Sequence, residues 1–204
     1  MIIGADTNQF AKGSHFNSNF KKHKKIEALG HKILQLPLPV ADYVLVNDEI
    51  QEVVDRATKR GISVKKMDLL GTYNIAVDTK KSLVEVAGNL CSKNHDRITD
   101  DLRRAKKHNI NVFWLIENTE GITCIEDLFK RGKTPVTEHG WKQTKNGLKW
   151  VVRHKTQVKC ISLAKTLYTM EHREEYNIKF LFCKPEEAGQ MIVELLTGGS
   201  KTDV

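Results

Sequence analysis

The chain has 204 residues, a formal net charge of +8, 40% hydrophobic and 28% charged residues, which suits one folded α/β domain and excludes a disordered chain. No apolar run approaches the roughly 18 residues of a membrane helix, and the opening MIIGADTNQFAKG lacks the charged head and apolar core of a secretory signal. A cytoplasmic protein without a membrane partner is therefore expected.

Residues 1–18 are rich in Asn, Ser and Gly and read as a loose N-terminal segment. A basic helix is expected over 20–29, stopped by Gly30, followed by a strand over 31–37. Pro37 and Pro39 interrupt pairing, and a second strand follows over 42–46. Asn47 or Asp48 can cap a helix over 49–60, with Ile50, Val53, Val54 and Ala57 on one face. This helix and a short strand over 63–69 make up an insertion, 47–70, ahead of a strand over 73–80.

Ser82 and Glu85 have the spacing of a capping box, opening a helix to about Leu90. A second helix over 96–107 gathers cations toward its C-terminal end, which suits the helix dipole. The apolar run 111–116 reads as a central strand with Glu117 at its end. A short helix over 124–130, a basic insertion over 131–159 and a helix over 162–172 follow. A strand over 178–183, a helix over 185–196 with Pro185 in its first turn, and a frayed tail over 198–204 complete the chain. The expected fold is one α/β domain over 19–197, a mixed sheet flanked by helices.

The four cysteines, Cys91, Cys124, Cys160 and Cys183, contain no C-x-x-C pair, so reduced thiols rather than a zinc site are expected. Two strands carry the chemistry. One begins at Asp42, within Leu38-Pro39-Val40-Ala41-Asp42-Tyr43, and the other delivers Asp78-Thr79-Lys80. Asp78 and Lys80 share a strand face because side chains repeat every two residues. Two carboxylates can hold Mg²⁺, which takes oxygen ligands and retains waters, and the Thr79 carbonyl can add a ligand. A lysine beside them can orient a water or stabilise developing phosphate charge. Asp68 is an alternative first acid, ranked below Asp42, and Glu117 could face the site or solvent. The plain alternative is a turn acid at Asp42 and an exposed acid and cation at a strand end.

These residues resemble the restriction-endonuclease-like PD-(D/E)XK superfamily, and most closely its XPF-type branch. Ala41-Asp42-Tyr43 matches a Gly-Asp-Tyr-like turn, with Ala41 in the glycine's place, and Asp78-Thr79-Lys80 matches the later acid-x-lysine element. The resemblance spans His31 to Ile116. It implies a restriction-endonuclease-like core, Asp42 and Asp78 as metal ligands and Lys80 as catalytic lysine. Glu27 or Glu85 would be supporting acids, although the capping role is the stronger reading of Glu85. The implied activity is Mg²⁺-dependent hydrolysis of DNA phosphodiester bonds, with Mn²⁺ able to substitute, and related folds often act as homodimers. The rival reading is a non-catalytic nucleic-acid-binding or inhibitor protein on the same fold.

The basic charge favours a phosphate polymer as partner. Residues 140–159 carry Trp141, Lys142, Lys145, Lys149, Trp150 and Arg153, and no acid. Asn146-Gly147 marks a hairpin turn. This stretch is either a nucleic-acid arm or a solvated hairpin whose tryptophans pack on the core. Lys81, Arg97 and Arg103 are further candidate nucleic-acid contacts, and His95 and Arg97 could border the acids.

Overall fold

The computed structural model describes residues 1–11, 16–91, 95–145 and 147–198. Asn146 of the expected turn and the tail beyond Gly198 lie outside the described residues. In chain order the first half runs β1 (Ile2–Asp6), α1 (Phe16–Ala28), β2 (Lys32–Leu36), β3 (Tyr43–Leu45), α2 (Asp48–Lys59), β4 (Ile75–Lys80) and α3 (Leu83–Leu90). The second half runs α4 (His95–Lys107), β5 (Asn111–Glu117), α5 (Ile125–Arg131), β6 (Pro135–Thr144), β7 (Gly147–Lys159), α6 (Cys160–Glu171), β8 (Ile178–Cys183) and α7 (Ala188–Thr197).

Six strands form one mixed sheet in the order β2-β1-β3-β4-β5-β8. β3 runs antiparallel to both neighbours, whereas β4, β5 and β8 are mutually parallel. Each face is covered, so the central strands are apolar on both sides. On one face, Ile26 of α1 and Ala188, Ile192, Val193 and Leu196 of α7 pack against Ile3, Tyr43, Val77 and Leu115. On the other, α2 to α6 enclose a larger core around Trp114, Ile116, Leu163 and Phe180. Alternation along β4 points Ala76 to the larger core and Val77 to the smaller one.

The cap expectations follow from local chemistry. Asn47 accepts from the Ile50 amide at 3.0 Å, and Ser82 accepts from the Glu85 amide at 3.2 Å. Glu85 closes the reciprocal side on the Lys81 amide at 2.9 Å, one residue before the usual capping-box donor.

Four expectations differ from the fold. The segment 1–18 is not loose throughout: Ile2–Asp6 is an inner strand and Thr7–Phe10 a 3-10 turn. A five-residue strand is lost in the polar average of that stretch. The expected strand over 63–69 is instead a 3-10 turn over Lys66–Leu69, because Asp68 accepts from the Lys65 amide at 2.9 Å and curls the chain. The last helix starts at Ala188 rather than 185, since Glu187 ties back to the Lys184 amide at 3.0 Å in a separate turn. Residues 135–159 form a long two-stranded ribbon, β6–β7, as a second sheet. Among the described residues, no helix is long and apolar enough to cross a membrane.

Candidate active site

Asp42 is held where three strands meet. Its amide donates to the Val77 carbonyl at 3.0 Å, and its carbonyl accepts from the Asp6 amide at 2.8 Å. The preceding Ala41 adopts φ +64°, in the left-handed region that glycine favours. That turn releases the chain from Pro39 and brings Asp42 to the end of the sheet. There its Oδ2 accepts from both the amide and the hydroxyl of Thr79, each at 2.8 Å. Its Oδ1 accepts from Gln9 Nε2 at 2.7 Å.

Asp78 and Lys80 project from the same face of β4, as the strand repeat requires. Lys80 Nζ lies 2.6 Å from Asp78 Oδ1, and the pair is only 10% and 20% exposed. Trp114, the register partner of Asp78 on β5, places its ring 4.4 Å below the ammonium. Asp42 lines the same clefts as Asp78 and Lys80. Two carboxylates and one amine thus converge, fixed by backbone and packing contacts.

Burial pushes the Asp78 carboxyl up to about 6; Lys80 opposes that rise and Asp42 adds to it. Burial also works against a charged Lys80, but Asp78 and Asp42 outweigh it and hold the ammonium above the ordinary lysine range. The Lys80 ammonium favours ionised Asp78, whereas the neighbouring Asp42 charge opposes it.

The three side chains line two neighbouring clefts. One, of about 220 Å³, adds Asp6, Lys66 and Arg97; the other, of about 230 Å³, adds Lys22, Lys81 and Glu85. Arg97 and Lys66 are 69% and 57% exposed at the first rim. Among the described residues, no group of three or more His, Cys, Asp or Glu side chains encloses a metal position. The oxygen donors that could hold a hard cation such as Mg²⁺ are the carboxylates of Asp42 and Asp78, with water left to complete its shell. Asp42 and Asp78 line both clefts together, so the residues fit the group.

Other expected residues fall differently. Thr79 serves through its amide and hydroxyl as the anchor of Asp42. Glu27 is exposed on α1 and lines neither cleft. Glu85 borders the second cleft while capping α3. Lys81 lines that cleft, whereas Arg103 pairs with Asp100 and Glu175 and lines neither. Asp68 is spent on its turn, and His95 pairs with Asp96 at 3.6 Å. Glu117 is neither free nor solvated: it forms a buried ion pair with Lys22 at 2.6 Å. Trp141, Lys142, Lys145, Lys149 and Arg153 lie on the ribbon, and the tryptophans are exposed rather than packed on the core.

Three contributors escape a reading of the sequence. Asp6 ends β1 as Asp78 nears the end of β4, and its buried Oδ1 accepts from the Leu38 amide at 2.9 Å, shaping the loop before Asp42. The Ile-Ile-Gly-Ala-Asp run carried that signal, a strand delivering an acid. Gln9 and Lys22 reach the site through the tertiary fold and leave no local mark. Compared with known proteins, the chain matches no protein-family model and no curated protein.

Proposed function

We propose that this protein is a divalent-metal-dependent DNA endonuclease on a restriction-endonuclease-like core, hydrolysing phosphodiester bonds. The observation that carries this reading is the convergence of Asp42, Asp78 and Lys80 at a cleft rimmed by exposed cations. Asp42 and Asp78 would hold the cation, Mg²⁺ or Mn²⁺. Bound there, it would supply Lewis-acid stabilisation of phosphate charge and favour ionisation of a water. Thr79 fixes the orientation of Asp42 by gripping one carboxylate oxygen. Lys80, kept as an ammonium, donates to the attacking water or to a phosphate oxygen as charge develops. Arg97 and Lys66 hold the backbone phosphates beside the scissile bond.

The experiment is incubation of the purified protein with plasmid and branched DNA in Mg²⁺, Mn²⁺ or EDTA. Cleavage is expected with either cation and absent in EDTA. Asp78→Ala and Lys80→Ala are expected to lower it by about 10²-fold or more while DNA binding persists. Undiminished cleavage by Asp78→Ala overturns the reading. The Lys80–Asp78 contact at 2.6 Å favours one rival, a non-catalytic nucleic-acid-binding protein in which the pair is structural. That rival predicts salt-sensitive binding without cleavage under any of the three conditions.

A further inference from the structure

Between Gly140 and Lys159 no described residue of the β6–β7 ribbon is buried. Register sets Trp141 opposite Trp150, Gln143 opposite Leu148 and His139 opposite Val152, so the pleat gathers these side chains on one face. Trp141, Leu148, Trp150 and Val152 are 60%, 63%, 45% and 49% exposed. The other face sets Lys142 directly opposite Lys149. Residues 139–159 hold six lysines and arginines and no acid.

Both faces are unfavourable in the free protein. Like charges directly opposed weaken a two-stranded sheet, and a contiguous apolar patch in water marks an interaction surface. The cross-strand tryptophan pair, with ring centroids 5.3 Å apart, stiffens the ribbon but leaves much of both indoles in water. The same kind of partner relieves both faces if it brings negative charge together with flat apolar rings. A second copy packed through the aromatic face would cover the indoles but leave Lys142 opposed to Lys149 on the other. Paired duplex DNA supplies the charge but keeps its base faces inside the stack. A single strand supplies phosphates and unstacked bases together.

We propose that the β6–β7 ribbon is a binding arm for single-stranded nucleic acid, with Trp141 and Trp150 stacking on bases and Lys142 and Lys149 contacting phosphates. Two strands are only about 5 Å apart, so long lysine stems reach around the ribbon edge to a chain lying on the aromatic face. The arm is anchored. His139 is bound to Glu120 through its ring Nδ1 at 2.7 Å and its amide at 3.2 Å. The His139 ring stacks within 10° of the Trp150 plane. The ribbon's base also points the bound strand toward chemistry: Thr137, Glu138 and His139 line a small cleft with Lys81, next in sequence to Lys80.

The proposal takes nucleic acid as partner from the proposed function, and its test needs no metal and no cleavage. Binding is measured in EDTA by anisotropy of labelled oligonucleotides and by quenching of tryptophan fluorescence. The probes are single-stranded oligothymidylate, an abasic strand of equal charge, a duplex of equal length, and an RNA strand as a second source of the same chemistry. Wild-type protein is expected to bind the oligothymidylate with quenching and the abasic strand at least about tenfold more weakly. Trp141→Ala/Trp150→Ala is expected to lose at least about tenfold for the base-bearing strand and less than about threefold for the duplex. Lys142→Gln/Lys149→Gln is expected to weaken all probes and flatten the single-strand salt slope by about 1.4, two phosphates' worth. Trp141→Phe should recover most of the affinity, and circular dichroism checks that each variant folds. Equal binding of abasic and base-bearing strands overturns the proposal, as does equal loss on duplex and single strand. So does a wild-type dimer that the tryptophan variant dissolves without any change in oligonucleotide binding.

Discussion

Asp78 carries the most consequential charge in the molecule. With its carboxyl raised to about 6, first by burial and then by Asp42, its folded-state value lies above that of the unfolded chain. Such a group favours the folded state below about pH 4 and loses that contribution as pH rises through about 6. Metal-free protein therefore loses stability through this group as pH rises to neutral, a pH dependence that Asp78→Asn removes. In EDTA, the Tm of Asp78→Asn relative to the parent is expected to be higher at about pH 7.5 than at about pH 4.5. A calorimetric or fluorescence melt at both values checks it, and a pH-independent difference contradicts it. Mn²⁺ should raise the parent's Tm more than the variant's, since binding to the folded state alone stabilises it. Ala41 shows how a residue's role emerges from its backbone: its φ of +64° lies in the left-handed region and turns the chain into Asp42.

At the scale of elements, α1 and α7 approach closely where they cover the smaller core. Gly189 permits it. A Cβ there would stand 2.8 Å from the Lys22 carbonyl and 2.7 Å from the Lys25 Cβ, and backbone cannot step aside cheaply. Gly189→Ala gains helix propensity but forces the helices apart. The net expectation is a loss of about 1–3 kcal/mol, read as a Tm lower by about 2–12 °C. The same shift would disturb the Lys22–Glu117 pair at 2.6 Å, whose burial makes it intolerant of a lost partner. A Tm equal to the parent's would show that α7 can slide without cost. The ribbon is the contrasting element, since its outer part rests on no core.

That contrast defines the whole molecule: a six-stranded sheet closed on both faces, with a separate two-stranded sheet. Among the ribbon's described residues, only Val136 at its base joins the buried core, with Val158 packed against it. Joining Gly140 to Val151 through a two-residue turn, in place of 141–150, is expected to leave the core's Tm within about 2 °C. The same deletion should abolish the ribbon's single-strand binding. A large loss of Tm would show that the ribbon supports the core. Much of the fold was legible along the chain, because periodicity, caps and breakers act over a few residues: the strands at 75–80, 111–117 and 178–183, the caps Asn47 and Ser82, and the face shared by Asp78 and Lys80. Only the tertiary structure decided that Asp6 and Gln9 serve Asp42, that Glu117 is bound to Lys22, that Glu27 stands apart, and that the tryptophans of the ribbon face solvent. Those facts depend on which strands become neighbours and which helices cross, and distant segments settle that by competing for the same apolar surface, which no local window of sequence records.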